Sequence, residues 1–123
     1  MKKWILLLVW IFVVLVLWKM LVSKKKEVIQ QVPIEQAARV LEDTKAILID
    51  VRTLEERLQR YREGSLHLPI DRLVFDLEEK IPDKYQPIMF CCKQGIRSEG
   101  AAVIARQLGY QSIYYTGSCT QIK

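Results

Sequence analysis

PIMFCCKQGIRSEGAAVIARQLGY, residues 87 to 110, decides how the chain folds. Behind Pro87, the residues Ile88, Met89, Phe90 and Cys91 make a short apolar run, the composition of a strand covered on both faces. From Ser98 onward the chain is rich in Ala, Val, Ile and Leu, with apolar residues at 101, 104, 105 and 108 on one helical face and Gly109 as the stop. Between strand and helix lies a six-residue loop, Cys92 to Arg97. A cysteine there faces unpaired backbone N–H groups and the positive end of the helix dipole, and both favour a thiolate. Lys93 and Arg97 add two cations, and Gly95 permits backbone conformations that turn N–H groups inward. Spacing alone leaves a second reading open, because a cysteine at a strand end also serves as a small buried hydrophobe.

The flanking segments extend the same pattern. AILIDV, residues 46 to 51, reads as a second buried strand ending in Asp50 and Arg52, and Thr53 with Glu56 matches the capping box that starts a helix. Pro33 opens a helix whose apolar face is Ile34, Ala37, Ala38 and Leu41. Gly64 and Pro69 bracket an irregular passage, Asp71 is placed to cap a helix running to about residue 81, and Pro82 with Pro87 frames the turn into the central strand. Residues 27 to 32 read as a short strand or linker, and Ser112 to Tyr115 as a last strand. Strands alternating with helices predict an α/β fold, a parallel sheet flanked by helices, with the cysteine loop at the C-terminal end of a strand where such sheets bind ligands.

A different composition precedes this domain. Residues 4 to 22, WILLLVWIFVVLVLWKMLV, are apolar apart from Lys19, and at about 1.5 Å per residue they reach across a hydrocarbon core of about 30 Å. Trp4 and Trp18 fall near the two interfaces, and Lys19 can extend its amine outward. The run ends in Leu21, Val22, Ser23 and three lysines rather than in the small residues of a cleavage site. We therefore expect a retained single-pass transmembrane helix in residues 1 to 26 and one domain in residues 27 to 123. The lysines on the C-terminal flank slightly outnumber those on the N-terminal flank, which by the positive-inside rule places the domain in the cytoplasm. Six of the 19 basic residues lie in residues 1 to 26, so residues 27 to 123 carry 13 basic against 14 acidic side chains, a net of −1. The basic character belongs to the anchor, where Lys24, Lys25 and Lys26 suit anionic membrane lipids, and no basic stripe remains to read nucleic acid.

Three motifs in order carry a family resemblance. CKQGIRS, residues 92 to 98, matches C-x-x-G-x-R-S. Residues 48 to 70, LIDVRTLEERLQRYREGSLHLPI, place Asp50, Val51, Arg52, Glu56, Gly64, Leu68 and Pro69 on D-V-R-x-x-x-E and the G-H-I-x-G-A-x-N-I-P run that follows it, with Arg60, Tyr61 and Arg62 in place of G-H-I. LGYQSIYYTGSC follows the L-G-Y, strand and Gly-Gly turn pattern, the turn reduced to Gly117 and Ser118. In these respects the chain resembles the rhodanese-like sulfurtransferases. The resemblance implies a rhodanese-like parallel sheet and a sulfurtransferase in which Cys92 takes sulfur from a small anionic donor, thiosulfate or a persulfide. It would hold that sulfur as a persulfide and pass it to cyanide or a thiol, without a cofactor. Loop residues Lys93, Gln94, Gly95, Ile96 and Arg97 would bind the anionic sulfur, with Ser98, Asp50 and Arg52 in support.

Other readings remain beside it. His67, the only histidine, falls where the family commonly has Asn and reads as structural. Cys91 should point away from Cys92 and be buried and inert. Cys119 lies in a tail expected to be exposed, from which it could approach Cys92. Three cysteines make neither a zinc spacing nor an even disulfide framework, so no metal is expected. A non-catalytic or redox-sensing module at the membrane, with Cys92 pairing with Cys119 on oxidation, is one alternative function. A phosphatase or arsenate reductase is another, and the six-residue loop argues against it because those enzymes of similar fold use seven.

Overall fold

The computed structural model describes residues 2–23 and 27–123. The expected junction at residue 26, and the expected contact of Lys24, Lys25 and Lys26 with lipid, lie outside the described residues. Five strands form a parallel sheet of order β1-β5-β4-β2-β3: β1 (Ile29–Gln31), β2 (Ile47–Asp50), β3 (Leu66–His67), β4 (Ile88–Cys92) and β5 (Ile113–Ser118). Because successive side chains of a strand point to opposite faces, β4 divides its apolar residues between two cores. Ile88, Phe90 and Cys92 pack with Leu73 and Leu77 of α4 (Leu73–Lys80) and with Ala101, Ala102 and Ala105 of α5 (Ile96–Gln107). Met89 and Cys91 pack on the other face, with Ala37, Ala38 and Leu41 of α2 (Ile34–Thr44). The small side chains on α2 and α5 let both helices lie close to the sheet, and all five β4 residues are buried.

The N-terminal helix α1 (Lys2–Ser23) has 22 residues, and its segment Lys2–Val22 is long and apolar enough to cross a membrane, with none of it buried in the protein. The short helix α3 (Leu54–Gln59) begins with the expected reciprocal cap: Thr53 Oγ1 accepts from Glu56 N–H at 3.2 Å while Glu56 Oε1 accepts from Thr53 N–H at 3.2 Å.

Several boundaries differ from the expectations. α5 begins at Ile96 rather than Ser98, because Gly95, at φ 103°, turns the chain into the helix and serves as its N-cap. Asp71 does not cap α4. It sits in a 3-10 turn, Ile70–Arg72, whose own Arg72 N–H to Pro69 C=O bond of 3.0 Å leads into the helix. β5 runs on to Ser118, and the passage around residue 66 contains the two-residue strand β3.

The cysteine expectations need the largest correction. Cys119 is not exposed: it is 1% accessible and forms a disulfide with Cys91, Cα to Cα 5.0 Å. Three cysteines therefore do make one bridge, and Cys92 is left as the free thiol among the described residues. The reason is strand geometry. Alternation sends Cys91 to the α2 face, and Cys119 arrives on that same face directly after β5, beside Ile122 and Val32.

Candidate active site

Cys92 ends β4 at the C-terminal edge of the sheet, and three residues later Gly95 caps α5. The chain folds back tightly enough that the Gly95 N–H donates to Cys92 Sγ at 2.9 Å. Ser98 Oγ, in the first turn of α5, stands 3.6 Å from the same sulfur, where it accepts from the neutral thiol. Burial pushes the Cys92 thiol up, but the Ser98 hydroxyl and the backbone N–H groups of Ser98, Gly95 and Gln94 act against it and hold it below the ordinary thiol value. The loop thus supplies what a thiolate needs: a ring of N–H donors at the start of a twelve-residue helix.

Ser98 is tied on its far side as well, with Oγ 2.9 Å from Gly95 O and 2.7 Å from Thr116 O of β5. Lys93, Gln94 and Ile96 are exposed, and with Cys92 and Arg97 they line a shallow cavity of about 410 Å³. Cys92 itself is 1% accessible, so its sulfur meets this cavity at the floor. A neighbouring groove of about 470 Å³ shares Arg97 and has Val51, Leu54, Pro69 and Ile70 as its apolar wall.

Arg97 does not donate to Cys92. Its Nη1 and Nη2 donate to Glu56 Oε1 and Oε2 at 2.6 and 2.9 Å, a two-pronged pair joining the cysteine loop to the cap of α3. The Arg97 guanidinium holds the Glu56 carboxyl down at about 2, against some burial and with help from Thr53. Glu56 is the residue that the sequence reading under-used. Its capping spacing was visible, but its partner stands 41 positions away.

Asp50 and Arg52 meet each other rather than the sulfur. Asp50 is fully buried; burial raises its carboxyl, and Arg52, with Arg57 at 3.3 Å, more than compensates and lowers it. Arg52 Nη2 and Nε donate to both Asp50 oxygens at 2.8 and 3.0 Å, and Nη2 also reaches Arg60 O at 2.8 Å. Arg57 binds Ser65 and Arg62 donates to Ile122 O at 2.7 Å, while Tyr61 lies under the Arg57 guanidinium. This network fixes the segment that follows α3. His67 Nε2 is 2.8 Å from Arg52 O, so the histidine props the same turn. Ligand atoms of Asp50, Cys91 and Cys119 lie within 4.8 Å of one another, but the sulfurs are joined and the carboxylate is occupied by arginines.

A parallel sheet that hands a cysteine from its central strand to the N-terminus of a helix is the rhodanese architecture, and the chain belongs to the Rhodanese-like domain family, whose profile matches residues 33–123. Among its relatives, the thiosulfate sulfurtransferase PspE of Escherichia coli strain K12 is 27% identical over 74 residues, covering 60% of this chain and 71% of PspE. The rhodanese domain-containing protein CG4456 of Drosophila melanogaster is 33% identical over 97 residues, covering 68% of this chain and 87% of its own length. The solved structure of the human single-domain sulfurtransferase TSTD1 superposes with a TM-score of 0.60 at 26% identity, covering 70% of this chain and 87% of TSTD1.

Proposed function

We propose that the chain is a sulfurtransferase that carries sulfane sulfur on Cys92, drawing it from thiosulfate or a persulfide and delivering it to cyanide or a thiol. The observation that carries this reading is the placement of Cys92 Sγ 2.9 Å from the Gly95 N–H at the start of α5, where ionisation is favoured. The Cys92 thiolate attacks the outer sulfur of the donor. A new S–S bond forms on Cys92, the donor's S–S bond breaks, and sulfite or a thiolate leaves with the electron pair. The acceptor then attacks the outer sulfur and Cys92 departs as a thiolate. Ser98 turns its hydroxyl proton toward the anionic sulfur, and the loop N–H groups of Lys93 to Ile96 receive the charge of the added atom. Arg97 orients the loop through Glu56 and presents its remaining N–H edge to the cavity it shares with Cys92.

Intact-mass measurement of the full-length chain in detergent after exposure to thiosulfate tests this. We expect a gain of one sulfur atom in the wild type and none in Cys92→Ser. Equal mass in both, with no thiosulfate:cyanide turnover, would refute the assignment.

We further propose that α1, long and apolar enough to cross a membrane, is a retained anchor, so carbonate-washed membranes should keep the protein. The lysine count favours a cytoplasmic domain, with Lys2 and Lys3 against Lys19, Lys24, Lys25 and Lys26. The Cys91–Cys119 bridge favours an oxidising compartment, and burial beside the Asp50 carboxylate disfavours the thiolates through which it would be opened. We give the bridge more weight and propose that the domain lies on the non-cytoplasmic side. A C-terminal reporter enzyme active only after export should be active, and an inactive one restores the cytoplasmic assignment.

A further inference from the structure

Beyond the loop itself, we propose that Cys119, through its bridge to Cys91, is a positioning residue for Cys92, acting across the sheet by fixing the end of β5. The proposal rests on the sulfur-transfer reading for its activity readout. Its structural chain is separate and has four links.

The first is register. β4 and β5 pair Phe90 with Tyr115 and then Cys92 with Ser118, so β5 spends three residues where β4 spends two. The surplus sits at Thr116 and Gly117, the bulge that re-aims this strand end. The second is contact. The Thr116 carbonyl is a partner of the Ser98 hydroxyl at 2.7 Å, and Gly117 Cα stands at ordinary van der Waals range, 3.7 Å, from where a Cβ on Gly95 would lie. Of the groups that address the Cys92 sulfur, Ser98 Oγ is thus bonded to the bulge and Gly95 stands beside it.

The third link is Thr116 itself, 2% accessible, whose Oγ1 makes no hydrogen bond to another described residue and so gives the bulge no side-chain tether within the protein. The fourth is the bridge. Cys119 follows Ser118, the residue paired with Cys92, and is bonded to Cys91, the residue before Cys92. The disulfide ties the end of β5, just past the bulge, to the residue before Cys92 on the α2 face, while Cys92 works on the α5 face. Ser98 carries one hydroxyl proton and has three acceptors in reach: Gly95 O, Thr116 O and the Cys92 sulfur. Where Thr116 O stands decides how that proton is shared.

The test uses the full-length chain in detergent, as wild type and as the double variant Cys91→Ala with Cys119→Ala, in which Cys92 is the sole thiol. A second double variant, Cys91→Val with Cys119→Ala, refills the space left by the sulfurs in case the first does not fold. Iodoacetamide alkylation is followed against pH, sulfur loading by mass, and unfolding by heating, all read well below each midpoint. In the folded variants we expect the Cys92 titration to move up toward the free-thiol value of about 8.5. Loading should slow about tenfold or more, since small misplacements of reacting groups cost up to about 10²-fold. A titration and loading rate equal to wild type, with only a lower midpoint, would overturn the proposal and leave the bridge a stability element. A titration that shifts in a protein whose wild type never takes up sulfur would uphold the positioning role and refute the sulfur-transfer reading instead.

Discussion

Cys91 and Cys92 are consecutive residues of one strand and almost equally buried, at 0% and 1% accessible, yet one is closed in a disulfide while the other is a free thiol inclined to ionise. Burial alone raises a thiol and makes it inert, so burial cannot be what separates them. The two faces of the sheet differ in what they offer. On the α5 side a glycine-capped helix start supplies N–H donors and a hydroxyl within reach of sulfur. On the α2 side the neighbours are Val32, Leu48, Met89 and Ile122, with the Asp50 carboxylate close by and already paired with Arg52 and Arg57. One strand thus carries two cysteine chemistries because its pleat exposes them to opposite fields.

Substitution on each face should divide its losses differently between activity and stability. Cys92→Ser is expected to abolish turnover while keeping the unfolding midpoint near wild type. Cys91→Ala, which opens a bridge spanning 28 positions, should retain measurable turnover but lose about 3 to 4 kcal/mol of stability, by the loop-closure estimate. Parallel rate and denaturation measurements check both, and a Cys92→Ser protein that unfolds as easily as Cys91→Ala would erase the distinction.

A smaller effect should follow from the ion pair on the α5 side. Arg97→Ala removes the fork held by Glu56 and is expected to lower turnover roughly 10²-fold, with Arg97→Lys recovering only part because a single ammonium cannot span both carboxylate oxygens. The free-thiol count should stay at one in both variants, since the bridge lies across the sheet.

The smallest effect is on acid stability. Glu56 is held at about 2 in the folded chain, below its ordinary 4.5, so the folded state binds its proton less readily than the unfolded state. The stabilisation it brings is complete above about 4.5 and is lost as pH falls toward 2. Melting temperature should drop across that window in wild type and drop less in Glu56→Gln. Cys91→Ala should show the wild-type slope, because its bridge does not titrate there.

Much of this was legible in the sequence where the determinants are local. The apolar run of β4, the glycine in the loop and the Thr53 to Glu56 spacing each state their structure within a few residues, and the sheet follows from their alternation. The missing features depend on distant partners. β3 is two residues long and carries no period. The Arg97 to Glu56 pair and the Cys91 to Cys119 bridge join positions 41 and 28 apart, and the bridge further depends on a one-residue surplus in β5 that composition does not announce. The apolar helical pattern starts only at Ser98, which is why the helix start is expected there. Gly95 took that position because the tight return to Cys92 demands a positive φ.

α1 ends at Ser23 and β1 begins at Ile29, six positions later. Since every strand pairing is parallel, the chain enters the sheet at the edge where strands start, and Cys92 stands at the edge where they finish. With α1 seated in a bilayer, the protein would stand on the surface with its sulfur site on the far rim, facing water. Its donors and acceptors would then be met in solution, and the anchor would set where sulfur is delivered without choosing what it is delivered to.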